Sequence, residues 1–188
     1  MVQARGTGSE RHRFATYAVI GLLLVATLAS AGPAHAASRR GRYAIGDSVM
    51  LGAADELRTR GIHVNATVSR QFSALPSLMR SLRRSGDLRK KVIVHLGNNG
   101  YLELRDCKRA VRAAGNRHVY LVTLKVPRGW RQTNNRRLHR CASALPNASI
   151  VDWFTHSVNH PGWFADDLYH LSRLGRRRYA GYIAHQTG

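Results

Sequence analysis

The chain has 188 residues, of which 44% are hydrophobic, and its formal net charge is +20 at pH 7. The charge predicts attraction to polyanions. Nucleic acid is not expected as a partner, because the sequence shows no groove-reading motif and no basic face with interleaved aromatic residues. The two cysteines are too few for a structural zinc site, and no internal repeat or low-complexity linker divides the chain.

Residues 1–36 have the pattern of an export segment. A stretch with three arginines precedes an uncharged apolar run, Phe14–Ala31, and the small-x-small sequence Ala-His-Ala follows at 34–36. We therefore predict a signal peptide at 1–36 and a mature domain at 37–188. An uncleaved signal anchor is the alternative, because the apolar run is nearly long enough to span a bilayer. In either case the domain is predicted to be extracytoplasmic, secreted or anchored.

The predicted mature domain carries 27 Lys and Arg against 9 Asp and Glu, a formal charge of +18. Outside the cytoplasm, such a charge first meets anionic cell-wall polymers and the membrane surface. The densest basic run, at 80–91, is typical of a solvated helix end and loop. The net charge of the domain thus predicts anionic cell-wall polymers or the membrane surface as partners.

After the export segment, strand and helix patterns alternate along the chain. Short apolar runs predict five strands, at Tyr43–Ile45, His63–Thr67, Val92–Leu96, His118–Leu124 and Ser149–Asp152. Helical patterns are found at Val49–Thr59, Ala74–Arg84, Leu102–Ala114, Arg131–Ala144 and Ser172–His185. This alternation predicts an α/β fold, a three-layer α/β/α sandwich around a mostly parallel five-stranded sheet.

Three polar segments accompany the predicted strands. Gly46-Asp47-Ser48 opens the first helix, where a serine hydroxyl faces the crevice and free N–H groups favour negative charge. Gly97-Asn98-Asn99-Gly100 follows the central strand, so an asparagine amide there can stabilise an oxyanion above the serine. In Asp167–Leu171, a carboxylate three residues before a histidine can orient the imidazole as a general base. Each segment alone is also compatible with an ordinary turn or helix cap.

Taken together and in this order, the three segments resemble those of the SGNH, or GDSL-like, hydrolase superfamily over about residues 41–185. A closer similarity is to the exported SGNH domains of peptidoglycan O-acetyltransferase-type membrane acyltransferases. It is carried by AIGDSVMLGA at 44–53, VSRQFSALP at 68–76, VIVHLGNNG at 92–100, VTLKVPRGW at 122–130 and HPGWF at 160–164. The resemblance implies the flavodoxin-like SGNH hydrolase fold.

The resemblance also implies roles for individual residues. Ser48 would be the nucleophile, His170 the base and Asp167 its orienting partner, while Asn99 and the Ser48 N–H would hold the oxyanion. Asp47 is interpreted as structural. Two positions depart from the superfamily pattern. Residues 68–71 lack the glycine of the second motif, as in the acyltransferase-like subgroup, and Leu168 replaces the glycine that usually follows the last-motif aspartate.

The implied activity is that of a secreted serine esterase or O-acyltransferase acting on small acyl, in particular acetyl, esters of cell-envelope glycans. Water as second nucleophile would make an esterase, and a sugar hydroxyl would make a transferase. No cofactor is expected, and a separate membrane acyltransferase is a predicted partner. The alternative is a non-catalytic basic module that binds the cell envelope on the same fold.

Further predictions concern residues around this site. Arg70, Gln71, Trp130 and Trp163 are candidates for substrate binding, although each is also compatible with a loop or packing role. Cys107 and Cys141 lie on helices of successive strand–helix units and are either a disulfide or two buried thiols. No metal site is predicted, because the ten histidines form no HxH or HExxH pair.

Overall fold

The computed structural model describes residues 41–188. The predicted export segment lies outside the described residues. Within 41–188, no helix has both the length and the apolar character that crossing a membrane requires.

Five parallel strands form a single sheet in the order β2-β1-β3-β4-β5. This order is the flavodoxin-like one and confirms the predicted fold class. The strands are β1 Arg42–Gly46, β2 Ile62–Ala66, β3 Lys91–His95, β4 His118–Val122 and β5 Ala148–Val151. Each lies within two residues of its predicted limits, because short apolar runs between turn residues define strands well.

Helices cover both faces of the sheet. They are α1 Ser48–Gly52, α2 Ala54–Arg58, α3 Leu75–Arg84, α4 Leu104–Ala113, α5 Arg131–Ser143, α6 Trp153–Ser157 and α7 Arg173–Gln186. The single helix expected over 49–59 is therefore two short helices, with buried Ala53 outside helical geometry between them. The break directly follows Gly52, a residue that disfavours a helix interior. The sequence pattern did not predict α6, because its aromatic start continues the apolar pattern of β5.

The core has two parts, one on each face of the sheet. Tyr43, Ile45, Val92 and Val94 contribute to one part, while the intervening Ala44 and Ile93 contribute to the other. This alternation follows from the period of two along a strand. On the first face, a disulfide between Cys107 of α4 and Cys141 of α5 joins neighbouring helices, with a Cα–Cα distance of 6.2 Å.

The start of α7 fixes the chain segment that contains the third polar motif. Ser172 caps this helix by accepting a hydrogen bond from the N–H of Gly175, and the N–H of Ser172 donates to the Trp163 carbonyl. Gly175 lies so close to that carbonyl that a Cβ would overlap it. Only glycine therefore allows α7 to approach the Trp163 turn this closely.

Candidate active site

Ser48 lies at the junction of β1 and α1, at the carboxyl edge of the sheet. Asp47, directly before it, is the N-cap of α1, and its carboxylate accepts a hydrogen bond from the N–H of Val49 at 3.1 Å. Ser48 is half-buried, whereas Asp47 is fully buried. The cap holds the turn, so that the Ser48 hydroxyl faces the crevice and the first backbone N–H groups are available to an anion.

The structure brings Ser48, His170 and Asp167 together in a linear relay. The Ser48 Oγ lies 2.9 Å from Nε2 of His170, and Nδ1 of the same ring lies 2.6 Å from Oδ2 of Asp167. With the ring proton on Nδ1, Asp167 accepts from the imidazole and Nε2 is free to accept the serine proton. This is the geometry that nucleophilic catalysis by serine requires.

The Asp167–His170 turn is exposed and held mainly by its own hydrogen bonds. The second carboxylate oxygen of Asp167 accepts from the N–H groups of Tyr169 and His170, at 3.1 and 2.9 Å. Burial acts to raise the pKa of Asp167, but the hydrogen bonds from His170 and Tyr169 outweigh it, so that the pKa lies below its usual value. Asp167 is therefore a carboxylate at neutral pH.

Leu168, which replaces the expected glycine, adopts the left-handed conformation with φ of 65°. The turn thus has the shape that glycine favours, at a steric cost of about 1–2 kcal/mol for a residue with a Cβ. Lys125, which the sequence analysis did not identify, supports the turn: its Nζ donates to the Leu168 carbonyl at 2.8 Å and lies 4.4 Å from the centre of the Phe164 ring.

Asn99 lies in the loop that follows β3, at the same sheet edge as Ser48. Its amide donates a long hydrogen bond, 3.4 Å, to the Arg70 carbonyl, which leaves its other N–H free for a ligand. The loop is fastened from α5 by buried Asn134. This side chain donates to the Gly97 and Gly100 carbonyls at 3.1 and 2.8 Å, and it accepts from the N–H of Leu102 at 3.0 Å. No sequence signal pointed to Asn134.

A buried pair of side chains connects the serine turn to the asparagine loop. The amide of Asn98 donates to both carboxylate oxygens of Asp47, at 3.0 and 3.2 Å. Burial raises the pKa of Asp47 to about 6, against the lowering effect of the hydrogen bonds from Asn98 and Val49. Since Asp47 precedes Ser48 and Asn98 precedes Asn99, this pair fixes the relative positions of the two predicted oxyanion donors.

A second buried pair lies deeper, at the end of β3. Nδ1 of His95 is 2.9 Å from the hydroxyl of Tyr179, a residue of α7. Burial lowers the pKa of His95 to about 3 and raises that of Tyr179 well above its usual value. Both side chains are therefore neutral across the physiological range and contribute a hydrogen bond rather than charge.

The other predicted binding residues occupy different positions around the site. The Arg70 guanidinium donates to the carbonyls of Asn65 and Gly46 and to the side chains of Asn65 and Thr67. These bonds give Arg70 a bracing role at the ends of β1 and β2, and its substrate-binding role stays a prediction. Gln71 is exposed beside Gly100.

The two predicted aromatic binding residues are half-buried and pack against different neighbours. Trp130 is the N-cap residue directly before α5 and packs at a tilt against exposed Tyr101, with ring centres 6.0 Å apart, beside the asparagine loop. Trp163 stacks on His160 at 3.9 Å and belongs to the segment that pairs with the last motif through Phe164 and Leu171. Within residues 41–188, no group of three or more His, Cys, Asp or Glu side chains could hold a metal ion.

This fold and this serine–histidine–aspartate geometry define the class as a serine hydrolase-type α/β protein. No protein-family model matches the chain. The peptidoglycan O-acetyltransferase OatA of Listeria monocytogenes is 30% identical over 142 residues, which are 74% of this chain and 23% of that protein. The chain spans less than a quarter of the length of the curated relatives it matches.

Solved structures agree with this relationship. The C-terminal catalytic domain of OatA from Streptococcus pneumoniae, with a methylsulfonyl adduct, has a TM-score of 0.69 and 26% identity, covering 78% of this chain and 91% of that one. A GDSL-like lipase from Bacteroides thetaiotaomicron has the same fold, with a TM-score of 0.64, 16% identity and coverage of 81% and 89%. The chain is homologous to peptidoglycan O-acetyltransferases, with the fold of their C-terminal catalytic domain, and it shares that fold with the SGNH/GDSL hydrolases.

Proposed function

We propose that this protein is an extracytoplasmic serine esterase or O-acetyltransferase that acts on acetyl esters of cell-envelope glycans through an acyl-Ser48 intermediate. The observation that carries the proposal is the unbroken relay from the Ser48 hydroxyl through His170 to Asp167. The homologous relatives are named peptidoglycan O-acetyltransferases, which supports acetyl as the acyl group and a glycan as substrate or acceptor.

In the first half-reaction, the Ser48 oxygen attacks the ester carbonyl while its proton passes to Nε2 of His170. The imidazolium that forms is stabilised by the Asp167 carboxylate. The negative carbonyl oxygen accepts hydrogen bonds from the Ser48 N–H and the Asn99 amide, and loss of one such donor costs about 3–4 kcal/mol of transition-state stabilisation. The bond to the alkoxy oxygen then breaks, and His170 returns the proton to the departing alcohol.

In the second half-reaction, His170 takes a proton from the incoming hydroxyl, which attacks the acyl-serine carbonyl. The bond between the acyl carbon and the Ser48 oxygen then breaks, and His170 returns the proton to that oxygen. Water yields free acetate, whereas a sugar hydroxyl yields an acetylated glycan. Exclusion of water from the crevice and binding of an acceptor decide between the two outcomes. Delivery of the acyl group by a separate membrane acyltransferase is part of the proposal.

The proposal is tested by nitrophenol release from nitrophenyl acetate with the full-length protein. We expect turnover by the wild type and none above background for Ser48→Ala, while Ser143→Ala, which alters an exposed serine at the end of α5, should match the wild type. A sulfonyl fluoride should add one mass increment to the wild type and Ser143→Ala only. Equal background rates in all three proteins, with no adduct, would contradict catalysis and favour the basic envelope-binding module.

A further inference from the structure

A groove of about 760 Å³ follows the outer face of α7, and we call it the α7 groove. Its lining is basic and aromatic, and none of the lining residues is acidic. They are Arg60, His156, Trp163, Leu174, Arg177, Arg178, Gly181, Tyr182 and His185. None of these residues belongs to the Ser48–His170–Asp167 relay, so the groove is a separate feature of the surface.

Two arginines of the α7 groove are available to a ligand. The side chains of Arg177 and Arg178 are exposed and make no hydrogen bond or ion pair with any group in residues 41–188. A guanidinium presents several N–H donors in a planar fork, which matches the paired oxygens of carboxylate and phosphate groups. The groove therefore offers adjacent positions for anionic oxygens.

The aromatic rings of the groove are held in fixed planes. Tyr182 stacks on His156 with ring centres 3.9 Å apart and planes 9° apart, and its hydroxyl donates to the Asp152 carbonyl. Trp163 stacks on His160 in the same manner, at 3.9 Å and 10°. Trp163 also stacks on Trp153, at 5.9 Å and 18°, so that the surface available to a ligand is the solvent-facing part of these two half-buried rings. Rigid aromatic surface buries apolar area with little loss of conformational entropy, and the C–H face of a sugar ring is a suitable partner.

Another basic hollow shows that charge is not what distinguishes the α7 groove. A smaller hollow of about 240 Å³ on α3 is lined by Arg80, Arg83, Arg84 and Ala113, and it contains no aromatic ring. A simple polyanion would find similar charge in both places. The α7 groove adds aromatic faces to the arginines, which is the combination that a charged sugar needs.

We propose that the α7 groove binds an anionic saccharide, a chain of sugar rings that carry carboxylate or phosphate groups. Arg177 and Arg178 bind the anionic groups, while Trp163 and Tyr182 pack against the sugar rings. The Trp163 end is joined to the chain segment that carries His170, since the Trp163 carbonyl accepts a hydrogen bond from the N–H of Ser172, two residues after His170. Binding in this groove does not require that Ser48 be catalytic.

The test measures binding by calorimetry at about 0.15 M salt with the full-length Ser48→Ala protein, so that turnover cannot interfere. The probes are an oligogalacturonate, a phosphorylated mannose oligomer, a neutral N-acetylglucosamine oligomer and inorganic polyphosphate. Whichever of the two anionic saccharides binds more tightly shows whether the groove prefers carboxylate or phosphate groups. We expect Arg177→Ala/Arg178→Ala to weaken saccharide binding about tenfold or more, and the matched pair Arg80→Ala/Arg84→Ala to change it less than about twofold.

The aromatic contribution is tested separately. Trp163→Leu should weaken saccharide binding about threefold or more without affecting polyphosphate, and Trp163→Phe provides a second variant that retains an aromatic ring against Trp153. Equal losses in the two arginine pairs would overturn the proposal, as would saccharide binding that is insensitive to both Trp163 variants. Absence of binding by both anionic saccharides would also overturn it. Thermal unfolding midpoints establish that each variant is folded.

Discussion

The proposed nucleophile and the proposed base of this site lie in contrasting surroundings. Ser48 and Asn99 are flanked by fully buried or nearly fully buried polar groups, Asp47, Asn98 and Asn134. By contrast, the side chains of Asp167 and His170 are 43% and 37% exposed, on a turn with a strained residue at its centre. The half of the site that holds Ser48 and Asn99, the buried half, thus owes its geometry to the packed interior. The half that holds Asp167 and His170, the exposed half, depends on short-range hydrogen bonds and on the start of α7. The comparison predicts different responses to mutation in the two halves.

The largest effect is expected in the exposed half. His170→Ala should lower turnover of nitrophenyl acetate about 10⁶-fold and Asp167→Asn about 10⁴-fold, because the serine proton then has no acceptor or no oriented acceptor. Their unfolding free energies should change by less than about 1 kcal/mol, since exposed pairs contribute little to stability. Activity and urea unfolding measured on the same samples check both parts. A large loss of stability in either variant would contradict the view that the exposed half contributes little to stability.

In the buried half, by contrast, a mutation should cause a large loss of unfolding free energy. Asn134→Ala removes three hydrogen bonds from the Gly97–Leu102 loop and leaves buried backbone groups unsatisfied, so we expect a loss of about 3–4 kcal/mol in unfolding free energy. Lys125→Met removes the support of the exposed turn and should cost no more than about 1 kcal/mol. Urea unfolding curves for the two variants measure this difference directly. Equal losses would show that burial does not separate the two halves.

The stability of the protein should also depend on pH, through Asp47 in the buried half. The pKa of Asp47 is about 6 in the folded protein against a usual 3.8, so the unfolded chain loses its proton first as pH rises. The wild type should therefore lose about 2–2.5 kcal/mol of stability between pH 4 and pH 7 relative to Asp47→Asn, which cannot ionise. Unfolding free energies of both proteins at several pH values test this. A constant difference across the range would mean that the Asp47 pKa is not raised.

The smallest predicted effect is a gain of stability in the exposed turn. Leu168→Gly should stabilise the protein by about 1 kcal/mol, because glycine adopts a φ of 65° without steric cost. Leu168→Ala keeps the Cβ and serves as the matched control, for which no gain is expected. Thermal unfolding distinguishes the two. If both variants gain equally, the benefit comes from removing an exposed apolar side chain.

Local patterns were sufficient for most of the fold. Five strands and five helices were predicted close to their observed positions because period-two and helical spacings, with glycine at the turns, are properties of neighbouring residues. The errors also have local causes: Gly52 precedes the break between α1 and α2, and the aromatic start of α6 resembles a continuing strand. The family resemblance, carried by the three polar segments, is confirmed by the homologous relatives.

The sequence by itself determined the element order, the parallel sheet and the motif positions, since parallel strands present their carboxyl ends at one edge. Only the tertiary structure decided which distant side chains complete the site. Asn134 is 37 residues from Gly97, Lys125 is 43 from Leu168, and Asn98 is 51 from Asp47. Such pairs have no fixed spacing, because their contacts depend on how helices and loops pack on the sheet. The α7 groove is of the same kind, as its arginines and aromatic rings come from four separate segments.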